Sequence, residues 1–262
     1  MHSTRARSGT QSIQRAFAVL KEICAVNATG LTLPVLAKKL RLNRTTAYRI
    51  LQCLVGQAAV RYDTQSRRYF LGPLTFELGI AARQQLDLKA LSSPTLARIA
   101  ETTGDTVFLM LKSGNDAVCI DRRTGSYPIK TLVVEVGTRR PLGIGAGSLA
   151  MLSALPEDEI QRVIQKNASR YPAYGKTLEA LIKAVCAAQK ARYVSTPVHG
   201  LMGVIAVAVP VVDPAGRAIA ALSVAAIAKR MSKSRQQELV TVLRSEAAHL
   251  ERMLHDTNVI DH

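Results

Sequence analysis

LTLPVLAKKLRLNRTTAYRILQCL, residues 31–54, decides the reading of the front of this chain. Apolar residues recur at three- and four-residue spacing on both sides of a short polar break, the pattern of two amphipathic helices joined by a tight turn. The first, about Leu33 to Leu40, is expected to bury Val35, Leu36 and Leu40 and to expose Lys38 and Lys39. Arg41 to Asn43 makes the turn. The second, about Arg44 to Val55, is expected to bury Ala47, Ile50, Leu51 and Leu54. Its polar face begins Arg44, Thr45, Thr46 and continues with Tyr48 and Arg49. A helix of this kind can lie in a DNA major groove while its apolar face holds it to a small core.

Upstream, Ile13, Ala16, Phe17, Leu20 and Ile23 predict a further helix from about Ser12, its N-cap, to Cys24, with those five lining one face. Residues 1–11 read as a flexible basic arm, without the apolar run of a secretory signal. Downstream, AVRYDTQSRRYFL (residues 59–71) places two β-rich runs around a polar tip, Asp63 to Arg67. A hairpin directly after such a helix is the wing of a winged helix-turn-helix. The candidate DNA contacts are therefore Arg44, Thr45, Thr46, Tyr48 and Arg49 on the third helix, Ser12 and Arg15 on the first, and Arg67 and Arg68 at the wing tip. Arg49 can fork to guanine O6 and N7, whereas Thr45 and Thr46 can equally serve to cap their helix.

The net charge is +16, unevenly spread. Residues 1–86 hold 13 Lys/Arg against 3 Asp/Glu, and the other 176 residues hold 22 against 16. A field concentrated on the front third fits a polyanionic partner there. No apolar run reaches ~18 residues, so no membrane span and no membrane partner is expected. Cys24, Cys53, Cys119 and Cys186 are scattered, without CxxC spacing. They read as buried thiols of a cytoplasmic protein, with neither a disulfide frame nor a metal site.

After Pro73, residues 74–90 read as a linker, helical over Leu74 to Leu86. A second domain, 91–256, follows, with a short tail at 257–262. Its pattern is a helix opened by Ser93-Pro94, strands at Thr106–Lys112, Ala117–Arg123 and Ile129–Val136, helices at Ser148–Leu155, from Pro156 and over Gly175–Ala191, strands at Arg192–Thr196, Val204–Val212 and Ala218–Ala228, and a last helix capped by Ser234. Hairpin-type links imply an antiparallel sheet flanked by helices, so the chain as a whole is α+β. The loop Gly143-Ile144-Gly145-Ala146-Gly147-Ser148 enters a helix, where glycines permit close backbone approach and free N–H groups favour a carboxylate.

TTAYRILQCL, YDTQSRRYFLGP, GTRRPLGIGAGSLAMLSALP and GVIAVAVPVVDPAGRAIAALSV together resemble the IclR family of bacterial transcriptional regulators, over about Ser12 to Leu254. The resemblance implies an N-terminal winged helix-turn-helix at 12–73 and a C-terminal effector domain similar to the GAF fold. It further implies a homodimer or homotetramer, a two-fold symmetric operator in double-stranded DNA, and control by a small carboxylic acid. By position it implies that Gly145, Ala146, Thr196, Ala206, Ser223 and Ala225 face the effector. Ser148 stands where the family commonly carries Lys, and Pro197-Val198-His199 where acids are usual. Ala206 and Ala225 stand where small polar side chains are often seen. These departures suggest a roomier, less polar cavity, suited to an aromatic or longer acid. Arg122, Arg123, Arg139 and Arg140 are available as counter-charges, although loop arginines are usually solvated.

Enzyme readings find no support in the residues. GIGAGS lacks the spacing of a dinucleotide loop and is no nucleophile elbow. The histidines at 2, 199, 249, 255 and 262 form no acid/base or ligand cluster, and no cofactor is expected. Beside a ligand-controlled regulator, two readings stay open: a ligand-independent DNA binder, and a small-molecule-binding domain without a regulatory role.

Overall fold

The computed structural model describes residues 8–83 and 88–256. The chain divides into two compact units, with the boundary between residues 86 and 87. The first holds α1 (Ser8–Ala25), α2 (Leu33–Lys39), α3 (Arg44–Gly56), the hairpin β1 (Val60–Asp63) and β2 (Arg68–Leu71), and α4 (Pro73–Arg83). Val19, Ile23, Leu36, Leu51, Val60 and Tyr69 form its core. The hairpin registers Asp63 against Arg68 and Val60 against Leu71. Paired backbone hydrogen bonds between Leu31 and Tyr69 tie it to the strand-like entry of α2. This is a winged helix-turn-helix.

Several expectations for this unit are corrected. The first helix starts at Ser8, so Ser12 lies inside it and caps nothing, and the part of the supposed arm from Ser8 to Gln11 is helical; residues 1–7 lie outside the described residues. Ile13 and Phe17 are 58% and 59% exposed. The buried face of α1 runs through Val19 and Ile23, because only the C-terminal half of the helix meets the small core. Val35 is likewise exposed, and α2 buries Leu36 and Ala37. The expected linker helix is helical over Pro73–Arg83, and its residues 84–86 lie outside the described residues.

The second unit comprises α5 (Leu88–Thr103), β3 (Thr106–Ser113), β4 (Asp116–Thr124), β5 (Arg139–Pro141), α6 (Ala146–Ser153), α7 (Glu157–Asn167), α8 (Leu178–Ala191), β6 (Val194–Pro197), β7 (Val204–Val212), β8 (Ala218–Ile227) and α9 (Lys233–Asp256). Six antiparallel strands lie in the order β5-β4-β3-β8-β7-β6. One face packs on α5 and α9 through Leu109, Val207, Leu222, Val224, Leu243 and Leu250. The other packs on α6, α7 and α8 through Phe108, Met110, Leu149, Met151, Val163 and Leu181. A sheet sandwiched between helical layers matches the α+β expectation.

Here too details differ. Ile129–Val136 is not a strand: Ile129, Leu132 and Val136 are about half exposed. The segment crosses the sheet as an irregular strap. Thr131 Oγ1 donates to the Ala225 carbonyl at 2.5 Å, and the Gly137 N–H donates to Cys119 O at 2.7 Å. β-propensity needs a partner ladder, and the outer edge of β4 is taken by β5. The helix expected from Ser93 begins at Leu88 and contains Pro94. An interior proline costs about 3 kcal/mol. Burying Leu88 returns roughly 1.5–3 kcal/mol and partial burial of Leu91 adds to it, which offsets that cost. The last helix is capped by Ser232, whose Oγ accepts the Arg235 N–H at 3.2 Å, so Ser234 sits in its first turn. The segment from Gly175 to Thr177 precedes α8, which Thr177 caps by accepting the Ala180 N–H. Three of the four thiols expected to be buried, Cys24, Cys53 and Cys186, are exposed. Each lies on the exposed surface of a helix. Only Cys119 on β4 is enclosed, and burial pushes its thiol up to about 11.

Candidate DNA-reading surface and effector cavity

In the first unit, α3 is anchored by Ala47 and Leu51, both fully buried. Its start is fixed by Asn43, whose Oδ1 accepts the Thr46 N–H at 2.7 Å. The cap is therefore Asn43, leaving the hydroxyls of Thr45 and Thr46 free of that task. At 100° per residue, Thr45, Arg49 and Gln52 fall on the stripe opposite Ala47 and Leu51, and all three are exposed. Arg44 and Tyr48 flank that stripe, with Tyr48 47% exposed. Gln52 was not among the residues singled out from the sequence, although the helical spacing from Thr45 through Arg49 would have found it. On the side of α3 facing α1, Ser12 and Arg15 line one cleft together with Thr46 and Arg49.

The wing tip is organised by Asp63. Its Oδ1 accepts the Gln65 N–H at 3.0 Å and its Oδ2 the Ser66 hydroxyl at 2.8 Å. These bonds, that of Ser66 first, hold the carboxyl below its ordinary value. Arg67 takes a left-handed φ of +55° in the turn and is exposed. Arg68 points the other way. Its Nη1 donates to the carbonyls of Thr29 at 3.2 Å and Gly30 at 3.1 Å. It is a strut between the wing and the loop before α2, unlike the free tip cation expected beside Arg67.

In the second unit, the glycine loop delivers α6 onto the sheet. Gly145 has φ +89°, open to glycine at little cost. A Cβ on Gly147 would meet Met110 Cγ at 3.0 Å, so the helix seats close to β3. The Ser148 hydroxyl accepts the Gly143 N–H and donates to Pro141 O, locking the loop. The first turn of α6 carries no side-chain cap.

Between α6, the sheet and the strap lies a cavity. Gly145, Ala146, Ala206, Ser223 and Ala225 all line it. Thr196 does not; it sits on β6 opposite Ala206, with its hydroxyl turned to Pro197 O. Phe108, Met110, Val133, Val134, Arg140 and Val198 complete much of the wall. Phe108 and Met110 escaped notice because only the pairing of β3 with β8 brings them beside Ser223 and Ala221. The wall is mostly apolar, and the space has about 40 Å³ free. Val133 and Val134 of the strap occupy room that the small residues at 206 and 225 leave. His199 is exposed and packs edge-on to Tyr174, outside the cavity wall.

The four candidate arginines separate sharply. Arg122 pairs with Glu135 at 3.0 Å and Arg139 with Asp116 at 3.3 Å, while Arg123 donates to Ser93 Oγ. Arg140 alone of the four lines the cavity, and its Nη2 donates to the Val133 carbonyl at 3.2 Å. Desolvation by burial holds its pKa below the ordinary arginine value.

No helix among the described residues is long and apolar enough to cross a membrane, and no group of His, Cys, Asp or Glu among them is placed to hold a metal ion.

Comparison with known proteins agrees with both halves. Residues 12–64 match the family described as "IclR helix-turn-helix domain", and residues 80–252 that described as "Bacterial transcriptional regulator IclR C-terminal". The chain is 27% identical over 240 residues to the HTH-type transcriptional repressor AllR of Klebsiella pneumoniae, covering 90% of this chain and 88% of the relative. The crystal structure of an IclR transcriptional regulator from Alicyclobacillus acidocaldarius superposes with a TM-score of 0.73 at 26% identity, covering 92% of this chain and 98% of that one. An IclR homolog from Microbacterium hydrocarbonoxydans, complexed with 4-hydroxybenzoate, shares the fold with a TM-score of 0.68 at 23% identity, covering 94% of this chain and 99% of that one. Winged helix-turn-helix, sheet domain and both matched regions converge: the chain is a DNA-binding transcriptional regulator, not an enzyme, and belongs to the IclR family.

Proposed function

We propose that this regulator reads a two-fold symmetric operator through α3, and that a small organic acid held in the cavity beneath α6 alters that reading. The observation that carries the DNA half is the exposed stripe Thr45, Arg49 and Gln52 on a capped, core-anchored helix. It lies in a unit with 13 basic and 3 acidic side chains. Arg44 and Tyr48 border the stripe, Ser12, Arg15 and Thr46 line the cleft beside it, and Arg67 reaches from the wing toward phosphate. The acid half is supported by the cavity wall, with Gly145, Ala146, Ala206, Ser223 and Ala225 grouped around one space. A related fold bound to 4-hydroxybenzoate keeps an aromatic acid within the reading. Entry of such a ring requires Val133 and Val134 to move aside, given the present 40 Å³.

Self-association belongs to the same proposal. Ile13 and Phe17 on α1, and Phe76, Leu78 and Ile80 on α4, are each more than half exposed. Apolar side chains spread along exposed helices favour a protein contact, and a dimer would read two half-sites. Coupling requires the acid to bind two arrangements of that assembly unequally. α4, which follows the wing, is the proposed moving part. The setting is cytoplasmic.

Operator binding is measured by fluorescence anisotropy on duplex DNA from upstream of the chain's own gene, at several salt concentrations, with and without a panel of carboxylic acids. A steep salt dependence, about 0.9 in log K per neutralised phosphate, and a shift with at least one acid are expected. Absence of specific binding contradicts the operator reading. Binding blind to every acid favours the ligand-independent alternative.

A further inference from the structure

We infer that Arg140 and Ser223 form the anion-recognising end of the cavity, so that the effector is selected as a carboxylate with an apolar body and its neutral amide is rejected. The inference rests on the cavity being the effector site. Pairing of Arg140 with Ala117 across β4 and β5 sets its side chain on the α6 face of the sheet. Among the described residues it has no acidic partner; the Val133 carbonyl is its hydrogen-bond acceptor. A guanidinium presents five N–H donors, and one carbonyl leaves most of that capacity unused. Burial already disfavours its charge, with Tyr174 and Cys119 as the ionisable groups that offset this.

Ser223 adds a second polar group to the wall. It is only 6% exposed and lines the same space. A hydroxyl facing the cavity can donate to an acceptor that arrives there. The uncapped first turn of α6 supplies further N–H groups nearby. The remaining wall, Phe108, Met110, Val198, Ala206 and Ala225, offers no charge and suits a hydrocarbon body. Cation, hydroxyl donor and helix start all favour a carboxylate over an uncharged carbonyl. Because the acceptor now on Arg140 belongs to the strap, a bound carboxylate would also compete with Val133 O for the guanidinium.

The test is calorimetric titration of the intact protein with benzoate, 4-hydroxybenzoate and butyrate and with the matching amides. The wild type is expected to favour an acid over its amide by roughly 10- to 100-fold, the range for a hydrogen bond to a charged group. Arg140→Met should bring the ratio near one, Arg140→Lys should restore part of it, and Ser223→Ala should weaken acid binding less. Thermal melting of each variant separates lost recognition from lost folding. Equal binding of acid and amide by the wild type, or a preference that survives in a folded Arg140→Met protein, overturns the assignment while leaving the cavity as effector site. If neither acids nor amides bind, the effector reading beneath it falls and the assignment with it.

Discussion

The two faces of the effector-unit sheet are built from the same strands and behave differently. Toward α5 and α9, β7 and β8 present Val207, Val209, Val211, Leu222 and Val224, all within 2% of full burial and closely packed. Toward α6, the alternating positions are Ala206, Ala208, Ala221, Ser223 and Ala225. Period-two alternation normally separates apolar from polar residues. Here it separates large from small. The large face holds the unit together, and the small face lets α6 approach while leaving a space beside its first turn.

The comparison breaks most visibly with one substitution on each face. Leu222→Ala removes a fully buried side chain and should destabilise the unit by about 3–5 kcal/mol, read as a lower denaturant midpoint. Ser223→Leu, the adjacent residue on the opposite face, sends its added carbons into existing space. It should cost about 1 kcal/mol while abolishing the response to acids. Equal losses of stability would mean that the two faces are packed alike.

A smaller contrast of the same kind exists in the wing. Arg67 is exposed at the tip, and Arg68, its neighbour, is bonded to Thr29 and Gly30 carbonyls. Arg67→Ala should leave stability unchanged and reduce the salt slope of DNA binding by about 0.9, one phosphate contact. Arg68→Ala should lower stability by about 1 kcal/mol, the worth of its hydrogen bonds. A reversed pair of outcomes would exchange their roles.

The smallest effect concerns the thiols. At pH 8, Cys119 stays protonated because its pKa stands at about 11, whereas Cys24, Cys53 and Cys186 are accessible. Iodoacetamide should label those three in the native protein and reach Cys119 only after unfolding. Native labelling of Cys119 would show that the cavity-side face opens readily.

The two candidate sites differed in how far they could be read from the sequence. The α3 stripe lies within eight consecutive residues whose helical spacing fixes their directions, so Thr45, Arg49 and the core pair Ala47 and Leu51 could be placed at once. The cavity is assembled from β3, β5, the strap, α6, β7 and β8. Gly145, Ala146, Ala206, Ser223 and Ala225 were reached through family likeness. Phe108 and Arg140 depend on strand register, which one sequence does not reveal. The strap was misread as a strand because Ile129 to Val136 has the composition of one and no ladder to join. Ile13 and Phe17 mark a related limit: periodicity locates an apolar face without saying whether that face is covered within one chain.

The claim on which the rest depends is that α3 reads bases. Selection of binding sites from a random duplex library, run with the wild type and with Arg49→Ala, tests it most directly. The account predicts an inverted-repeat consensus for the wild type. For the variant it predicts relaxed preference at one base pair of each half-site and affinity lower by about 1–3 kcal/mol. The same consensus at undiminished affinity from both proteins, or no consensus from the wild type, would contradict it.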